Sequence, residues 1–464
     1  MSAFTQIDAH VLADWVLEQR WFGSKTRDVA HVEIIEEIPV RDVEPVVVLA
    51  MLEVRFHAGT HELYQLPLGV RRSDSPQRPE GVIAHVDGQE VYDALTDLGA
   101  ERELLHLMRG GHDLSTADGT ASFRRAGALL DEDLQAVRPM GAEQSNTSLV
   151  FGERVVLKVY RRVGAGPNPE LELVRFLSER GFPHIPALAG WYEYNGRLID
   201  ATLGLAQEFV AGATDGWDLA LADLRERPER FLERARALGE VTGAMHTTLS
   251  SDPHDPAFAP EETSAEALGL LTATVDEEIE SMFLHLPETP ALAPLAGRGQ
   301  EVRERLGMLT HAGSAGRVIR HHGDLHLGQA MLSDERWIVL DFEGEPARSL
   351  VERRRKRSPL RDVAGMLRSF SYAASASRIL HGVPAPEGWE QRTRAAYLDG
   401  YLEAVEPSLL PPGRQAIERL LTVFELEKAV YELGYELDNR PEWVDVPVAG
   451  IVRLLALDEE ETPT

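Results

Sequence analysis

His322-Gly323-Asp324-Leu325-His326-Leu327-Gly328-Gln329, followed after a short apolar strand by Asp341-Phe342-Glu343-Gly344-Glu345, is the stretch on which the fold turns. Phosphoryl transfer to an alcohol needs a carboxylate that accepts the hydroxyl proton. It also needs oxygen ligands that hold Mg²⁺ against the phosphates. Asp324 and Gln329 stand five residues apart, the spacing that a phosphotransfer loop keeps between its base and its amide metal ligand. Gln is one methylene longer than the usual Asn but offers the same carbonyl oxygen. Asp341 then stands where a metal-binding carboxylate is due. Two other readings of these residues stay open. Asp and His in a loop are often turn residues or caps. The set His322, Asp324, His326 and Asp341 would also suit a zinc or manganese hydrolase.

The upstream sequence separates these readings. Arg154-Val155-Val156-Leu157-Lys158 alternates as a strand and ends on a lysine, as the phosphate-pairing lysine of a kinase does. A helix begins about ten residues later and carries Glu170 and Glu172; Glu172 is the expected partner of Lys158. Before the strand lie Glu143, Gln144, Ser145, Asn146, Thr147 and Ser148. Their small polar side chains and backbone amides can cover phosphates as a Gly-rich loop does, though they are also ordinary turn residues. Gln207, Glu208, Phe209 and Val210 follow a hairpin and precede the helical part, where an interlobe hinge presents backbone groups to adenine. Order and spacing agree across all of these pieces.

Composition bounds the rest. A chain of 464 residues implies two or three domains, and 43% apolar with 27% charged residues is a folded composition. Lys plus Arg number 47 and Asp plus Glu 76, a net charge of −29. That charge argues against nucleic acid and against an anionic membrane surface as partners. Cysteine is absent, which excludes disulfides, thiolate metal sites and a cysteine nucleophile. The first residues are acidic and amphipathic rather than a signal peptide, and no long apolar run is present, so the expectation is cytoplasmic. The run Arg353-Arg354-Arg355-Lys356-Arg357 is the one dense basic cluster and reads as a solvated or phosphate-facing loop.

Periodicity places a helix over 8–22, strands over 31–70 with a turn at His57-Ala58-Gly59-Thr60, and a further strand over 81–95. A second β-rich region reaches residue 210, and helices dominate from 216, with segments over 227–249, 264–286, 298–312, 360–376, 388–404, 413–438 and 446–457.

With these residues in hand, the chain resembles the aminoglycoside-phosphotransferase-like kinases and, among them, the actinobacterial maltokinases. The resemblance spans essentially the whole chain. It is carried by Gln19 through Gly23, Glu143 through Ser148, Leu157-Lys158-Val159, Asn168-Pro169 and His322 through Gln329. It continues in Asp341 through Pro346, Ser358 through Gly365, Glu427 through Glu432, Tyr435-Glu436, Asn439-Arg440-Pro441 and Trp443. It implies an α+β, bilobal protein-kinase-like fold with an additional N-terminal α+β cap subdomain over 1–95. An intermediate region over 96–210 would complete the ATP-binding lobe, and a mostly helical C-terminal lobe would span 211–464. The implied reaction is ATP plus maltose giving maltose 1-phosphate for α-glucan (glycogen) synthesis. Asp324 would be the base, Gln329 and Asp341 would hold Mg²⁺ with Glu343 assisting, and Lys158 would bind ATP. Related chains are sometimes fused to a trehalose synthase, so association with that enzyme is a hypothesis the resemblance raises, and a monomer or homodimer is the expectation.

Sugar recognition wants aromatic faces and charged groups for hydroxyls. Glu427, Lys428, Tyr431 and Tyr435 fall on one helical stripe, and His326 and Tyr372 are further candidates, with core packing the alternative for each aromatic. Glucosamine or another amino sugar is the competing substrate, with Glu427, Glu432 and Glu436 available for an ammonium. A metal-dependent hydrolase and an inactive scaffold are the readings from other classes.

Overall fold

Asp8 caps the first helix, α1 (Ala9–Glu18), by accepting the His10 N–H at 2.8 Å, which satisfies an amide left without a partner in the first turn. Leu12 and Val16, one helical turn apart, are its buried residues. They belong to the core of a sheet built from β1 (Val29–Arg41), β2 (Val46–Phe56), β3 (His61–Arg72), β4 (Val82–Val86) and β5 (Gln89–Asp93). The strand order is β1-β2-β3-β5-β4, and neighbours are antiparallel. The stretch 81–95, expected as one strand, is a hairpin. Asp87 and Gly88 both have positive φ, 48° and 75°, as a two-residue turn between twisted strands requires.

The structure, a computed structural model, describes residues 4–75, 81–97, 99–131, 134–141, 146–263, 265–307, 315–345 and 348–456. The chain divides into two units: the residues up to Arg175 with Pro186–Ala211, and Phe176–Ile185 with the residues from Gly212 onward.

A second sheet in the first unit contains β6 (Asp113–Ser115), β7 (Gly119–Arg125), β8 (Val137–Pro139), β9 (Asn146–Phe151), β10 (Val155–Tyr160), β12 (Leu188–Gly196) and β13 (Asp200–Glu208), in the order β6-β7-β12-β13-β10-β9-β8. Between β10 and β12 the chain forms β11 (Arg162–Val163), which pairs with β3 of the first sheet. Helix α2 (Ala100–Gly110) sets Leu104, Leu107 and Met108 into the core of the second sheet. Polar groups also join the two sheets. Buried Gln65 donates to the Tyr160 carbonyl at 2.8 Å and accepts the Tyr192 hydroxyl at 3.1 Å. Arg161 reaches Asp93 at 2.6 Å, and its guanidinium lies over the Trp21 ring. Trp21 is thereby part of the seam between the sheets. Helix α3 (Pro169–Glu179) starts where Asn168 accepts the Glu170 N–H at 2.8 Å.

The second unit is mostly helical: α4 (Gly216–Glu226), α5 (Arg230–Leu249), α6 (Ala265–Leu284), α7 (Gly299–Gly307), α8 (Leu350–Arg353), α9 (Leu360–His381), α10 (Trp389–Ala404), α11 (Arg414–Asn439) and α12 (Asp445–Ala456). Its strands are β14 (Thr214–Asp215), β15 (Glu261–Glu262), β16 (Arg317–Val318), β17 (Ala330–Ser333) and β18 (Arg336–Val339). Helix α9 runs past the expected 376 because no Gly or Pro follows that residue before Gly382. Among the described residues no helix is long and apolar enough to cross a membrane.

Helices α5 and α10 approach until their backbones touch. A Cβ on Gly239 would lie 2.0 Å from the Tyr397 carbonyl oxygen, and one on Gly400 would lie 2.1 Å from that of Arg236. Gly239→Ala should therefore cost about 1–3 kcal/mol through overpacking. A denaturant midpoint equal to that of the wild type would contradict this contact.

Candidate active site

The loop 321–329 is held from below by a buried carboxylate. Asp362, on the first turn of α9, is 2% exposed. Its Oδ2 accepts the His322 N–H at 2.8 Å and its Oδ1 accepts the Gly323 N–H at 2.9 Å. His246 Nε2 donates to Oδ2 at 2.9 Å, and Nδ1 accepts the Tyr401 hydroxyl at 3.1 Å. Burial works to raise the pKa of Asp362, but His321, His246 and the loop hold it well below the usual carboxylate range. Burial also pushes the His321 imidazole down to about 4, so it stays neutral.

His322 ties the loop to the following strand. Its Nδ1 accepts the Asp324 N–H at 3.3 Å, its Nε2 donates to the Leu340 carbonyl at 2.8 Å, and its ring packs against Phe342. Both ring nitrogens are occupied, so His322 has none left for a metal, which counts against the hydrolase reading. His326, expected at the sugar site, caps the short turn Leu327–Gln329 by accepting the Gly328 N–H at 3.1 Å. It does not line the cavity described next. Burial lowers its pKa. Gln329 Nε2 donates to Asp341 Oδ2 at 3.2 Å. Asp341 itself has a φ of 59°, a conformation that costs a non-glycine residue energy and persists only where the surroundings enforce it. Arg353 lies 3.9 Å from Glu343.

Asp324 opens into a cavity of about 1100 Å³ within the second unit. The stripe on α11 faces it: Glu427, Lys428, Tyr431 and Tyr435 all line the cavity. Lys428 Nζ lies 3.1 Å from Asp324 Oδ1 and 3.4 Å from Glu345 Oε1. Burial alone would lower the lysine's pKa, but the two carboxylates outweigh it and hold the ammonium charged. Glu345, whose pKa burial would raise, is held below its ordinary value by Lys428 and Arg348. Glu427 is clamped by both terminal nitrogens of Arg361, at 3.0 and 2.8 Å. Tyr431 and Tyr435 keep 45% and 47% of their surface exposed, and rings in that state can stack on a ligand. Tyr372, also expected here, lies outside the lining. It stacks on Trp443 and donates to Glu436 at 3.2 Å, so it packs α9 against the chain after α11.

The first unit holds the lysine expected to meet a nucleotide. All six residues of β10 are buried, and Lys158 pairs in register with Ser148 and Leu205. Its Nζ is 3.0 Å from Glu170 Oε2, which also accepts the Tyr160 hydroxyl at 2.7 Å. The pairing carboxylate is thus Glu170 and not the expected Glu172. Residues two apart on a helix point in widely different directions, and Glu170 is the one turned inward, at 1% exposure. Asn146 and Ser148 lie on the sheet face that carries Lys158, by strand alternation. Thr147 lies on the opposite face and accepts Arg161 Nε at 2.8 Å, which corrects its expected place over the phosphates. Gln144 and Ser145 fall outside the described residues.

Gln207 and Glu208 end β13, paired with Val156 and Val155. The Glu208 N–H donates to Ala187 O, its carboxylate accepts the Ala187 N–H, and the Phe209 N–H donates to Arg154 O. Those two amides are therefore engaged, and Val210 follows at the edge of the unit. Sequence reasoning missed the role of Asp362, although it noted the segment that contains it. It also missed Glu345, Arg348 and α6, whose Glu278 and Met282 line the cavity. An amphipathic helix carries no signal that tells a cavity wall from a solvated face.

Residues 15–97 match the maltokinase N-terminal cap domain. Over 428 residues the chain is 28% identical to a glucosamine kinase of Streptacidiphilus jiangxiensis, covering 84% of this chain and 95% of that protein. It is 26% identical over 331 residues to a glucosamine kinase of Mycolicibacterium smegmatis, covering 68% of this chain and 79% of that protein. Among solved structures, a glucosamine kinase in complex with glucosamine, ADP and inorganic phosphate superposes with a TM-score of 0.72 at 20% identity, covering 98% of each chain. The fold is that of these kinases.

Because His321 titrates near 6.5 when unfolded and near 4 when folded, the unfolded chain binds the extra proton first as pH falls. Its stabilising contribution is complete above about 6.5 and is lost towards about 4. Asp362 acts in the same direction, with its loss below the usual carboxylate range. Denaturation midpoints measured from pH 7 to pH 4 should fall, and His321→Asn should flatten the upper part of that slope; an equally steep slope in the variant would contradict the assignment.

Proposed function

Taking the chain as a maltokinase-like protein of the aminoglycoside-phosphotransferase-like kinase fold, we propose that it is a sugar kinase that transfers the γ-phosphoryl group of ATP to the anomeric hydroxyl of maltose. The observation that carries this reading is the cavity around Asp324, where one carboxylate is poised against a lysine and two tyrosine rings stand open. Asp324 accepts the proton of the sugar hydroxyl as its oxygen bonds to phosphorus and the bond to ADP breaks. Lys428 keeps that carboxylate oriented. Lys158, steadied by Glu170, meets the nucleotide phosphates, and Ser148 and Asn146 on the same sheet face are available to them. Val210 is the hinge residue proposed for adenine. Gln329, Asp341 and Glu343 offer an all-oxygen donor set that suits Mg²⁺, and the contact between the Gln329 amide and Asp341 keeps two of those groups together. Bound Mg²⁺ would neutralise phosphate charge. Maltose 1-phosphate would feed α-glucan synthesis.

Charge pairing favours a neutral sugar. The three glutamates that an ammonium would need are each held by arginine: Glu427 by Arg361, Glu432 by Arg368 and Glu436 by Arg440. Glu432 and Glu436 do not line the cavity at all. The second reading, glucosamine, is favoured by the curated relatives. It would rely on Glu278 or Asp438 of the cavity wall instead.

Purified protein with Mg²⁺ and ATP should consume ATP with maltose, and ³¹P NMR should place the phosphate on the anomeric carbon. Turnover of glucosamine without maltose would replace the first reading by the second. Asp324→Asn should lower turnover by about 10²–10⁴-fold with the fold intact, and near-normal turnover would remove Asp324 from the role of base.

A further inference from the structure

The basic run 353–357 has no part in the reaction above, yet its first and last residues line the cavity. Arg357 lines it together with Arg348 and Arg361. Two of the nearby carboxylates are already engaged, Glu427 by both terminal nitrogens of Arg361 and Glu345 by Lys428 and Arg348; a third, Glu278, feels the charge of Arg357 without forming an ion pair with it, and burial raises its pKa. Among the described residues, the Arg357 guanidinium has no hydrogen-bonded or ion-paired partner. A half-buried group with five N–H donors therefore faces the cavity without a protein partner. Arginines next to arginines are normally separated by carboxylates. Here burial together with repulsion from Arg361 and Arg348 draws the pKa of Arg357 down to about 10, which leaves it charged at neutral pH.

The backbone at this position is held in place. The Arg357 N–H donates to Ile319 O at 2.9 Å, and the Ile319 N–H donates to Arg357 O at 3.0 Å. On the preceding residue, Lys356 Nζ donates to the Pro256 carbonyl at 2.8 Å and pairs with Glu261. These bonds fix the main chain from which the guanidinium reaches the cavity. Guanidinium donors without a protein partner, beside further guanidinium groups, suit a tetrahedral oxyanion, because its oxygens accept several N–H bonds at once.

We propose that Arg357, supported by Arg348 and Arg361, forms an anion subsite in the cavity wall that takes a phosphoryl group, whether on a sugar phosphate or as inorganic phosphate. The subsite is separate from the Asp324 carboxylate, which Lys428 already neutralises. It does not depend on which sugar is phosphorylated.

Titration calorimetry of the full chain, without nucleotide and at constant ionic strength, tests it. Glucose 1-phosphate and inorganic phosphate are the probes, and glucose is the neutral control. The wild type should bind at least one of the anions. Arg357→Gln should weaken that binding about tenfold or more, and Arg357→Lys should keep part of it, since it retains the charge but loses the fork. Tighter binding of glucose 1-phosphate assigns the subsite to a phosphorylated sugar, and equal or tighter binding of phosphate assigns it to the free ion. Without anion, Arg357→Gln should melt at or above the wild-type temperature, because it relieves repulsion. Identical isotherms for wild type and Arg357→Gln overturn the proposal, which also isolates it from any phosphate bound at Lys158. So does the absence of binding heat in the wild type, or a lowered melting temperature in both variants, which would make the arginine structural. None of these outcomes depends on turnover of maltose or glucosamine.

Discussion

A single buried carboxylate positions the second unit's chemistry. Asp362 is almost fully buried, and two loop amides and His246 donate to its carboxylate and help keep it charged. Those same bonds fix the backbone of His322 and Gly323, and through them the direction in which Asp324 leaves the loop. Helix α9 must come close for this to work. A Cβ on Gly365 would lie 2.7 Å from the Leu325 carbonyl oxygen, so the helix backbone rests directly on the loop. Removing one partner of such a buried charge cluster typically costs about 3–5 kcal/mol. The loop is therefore stiff for the same reason that it is stable.

Around that fixed loop, charges alternate. Asp324, Lys428, Glu345 and Arg348 follow one another, and Glu427 with Arg361 closes the same wall. In a chain with a net charge of −29, carboxylates outnumber cations in the cavity lining as well, but Arg348, Arg357 and Arg361 stand close enough there to repel one another. An anionic group entering there meets local fields rather than the net charge of the molecule, because nearby charges in a partly desolvated cavity dominate distant, screened ones. The rarity of lysine is informative in this light. Lys158 and Lys428, two of four lysines in the sequence, both stand against buried or half-buried carboxylates, where a compact ammonium fits better than a planar guanidinium.

Some errors of sequence reasoning share one cause. Glu170 and Glu172 are chemically equal, and only the rotation of α3 decides which turns towards Lys158. Thr147 belongs to a polar run, but strand alternation sends it to the face opposite Lys158, where Arg161 takes it. Tyr372 and Tyr435 are both aromatic residues on helices with polar neighbours. The first is stacked against Trp443, the second is open to the cavity. His326 sits two residues from Asp324, yet its ring is turned to cap the following turn.

What could be read from the chain alone is what depends on local order. The spacing of Asp324 and Gln329, the alternation that ends on Lys158, and the α11 stripe of Glu427, Lys428, Tyr431 and Tyr435 are set by the periods of loop, strand and helix. The turn at 57–60 and the mostly helical second unit follow from the same periods, whereas the hairpin within 81–95 and the strand order of the sheets do not. Tertiary structure alone decided which partner each charge finds. Lys428 lies 104 residues from Asp324 and Asp362 lies 40 from His322, and no local rule joins residues so far apart. Arg357 reads as one basic residue among five until the fold sets it in the cavity wall beside Arg348 and Arg361, with no ion-paired partner among the described residues. Burial and electrostatic pairing act through space, so the sequence supplies the groups and only the packed chain assigns them to one another.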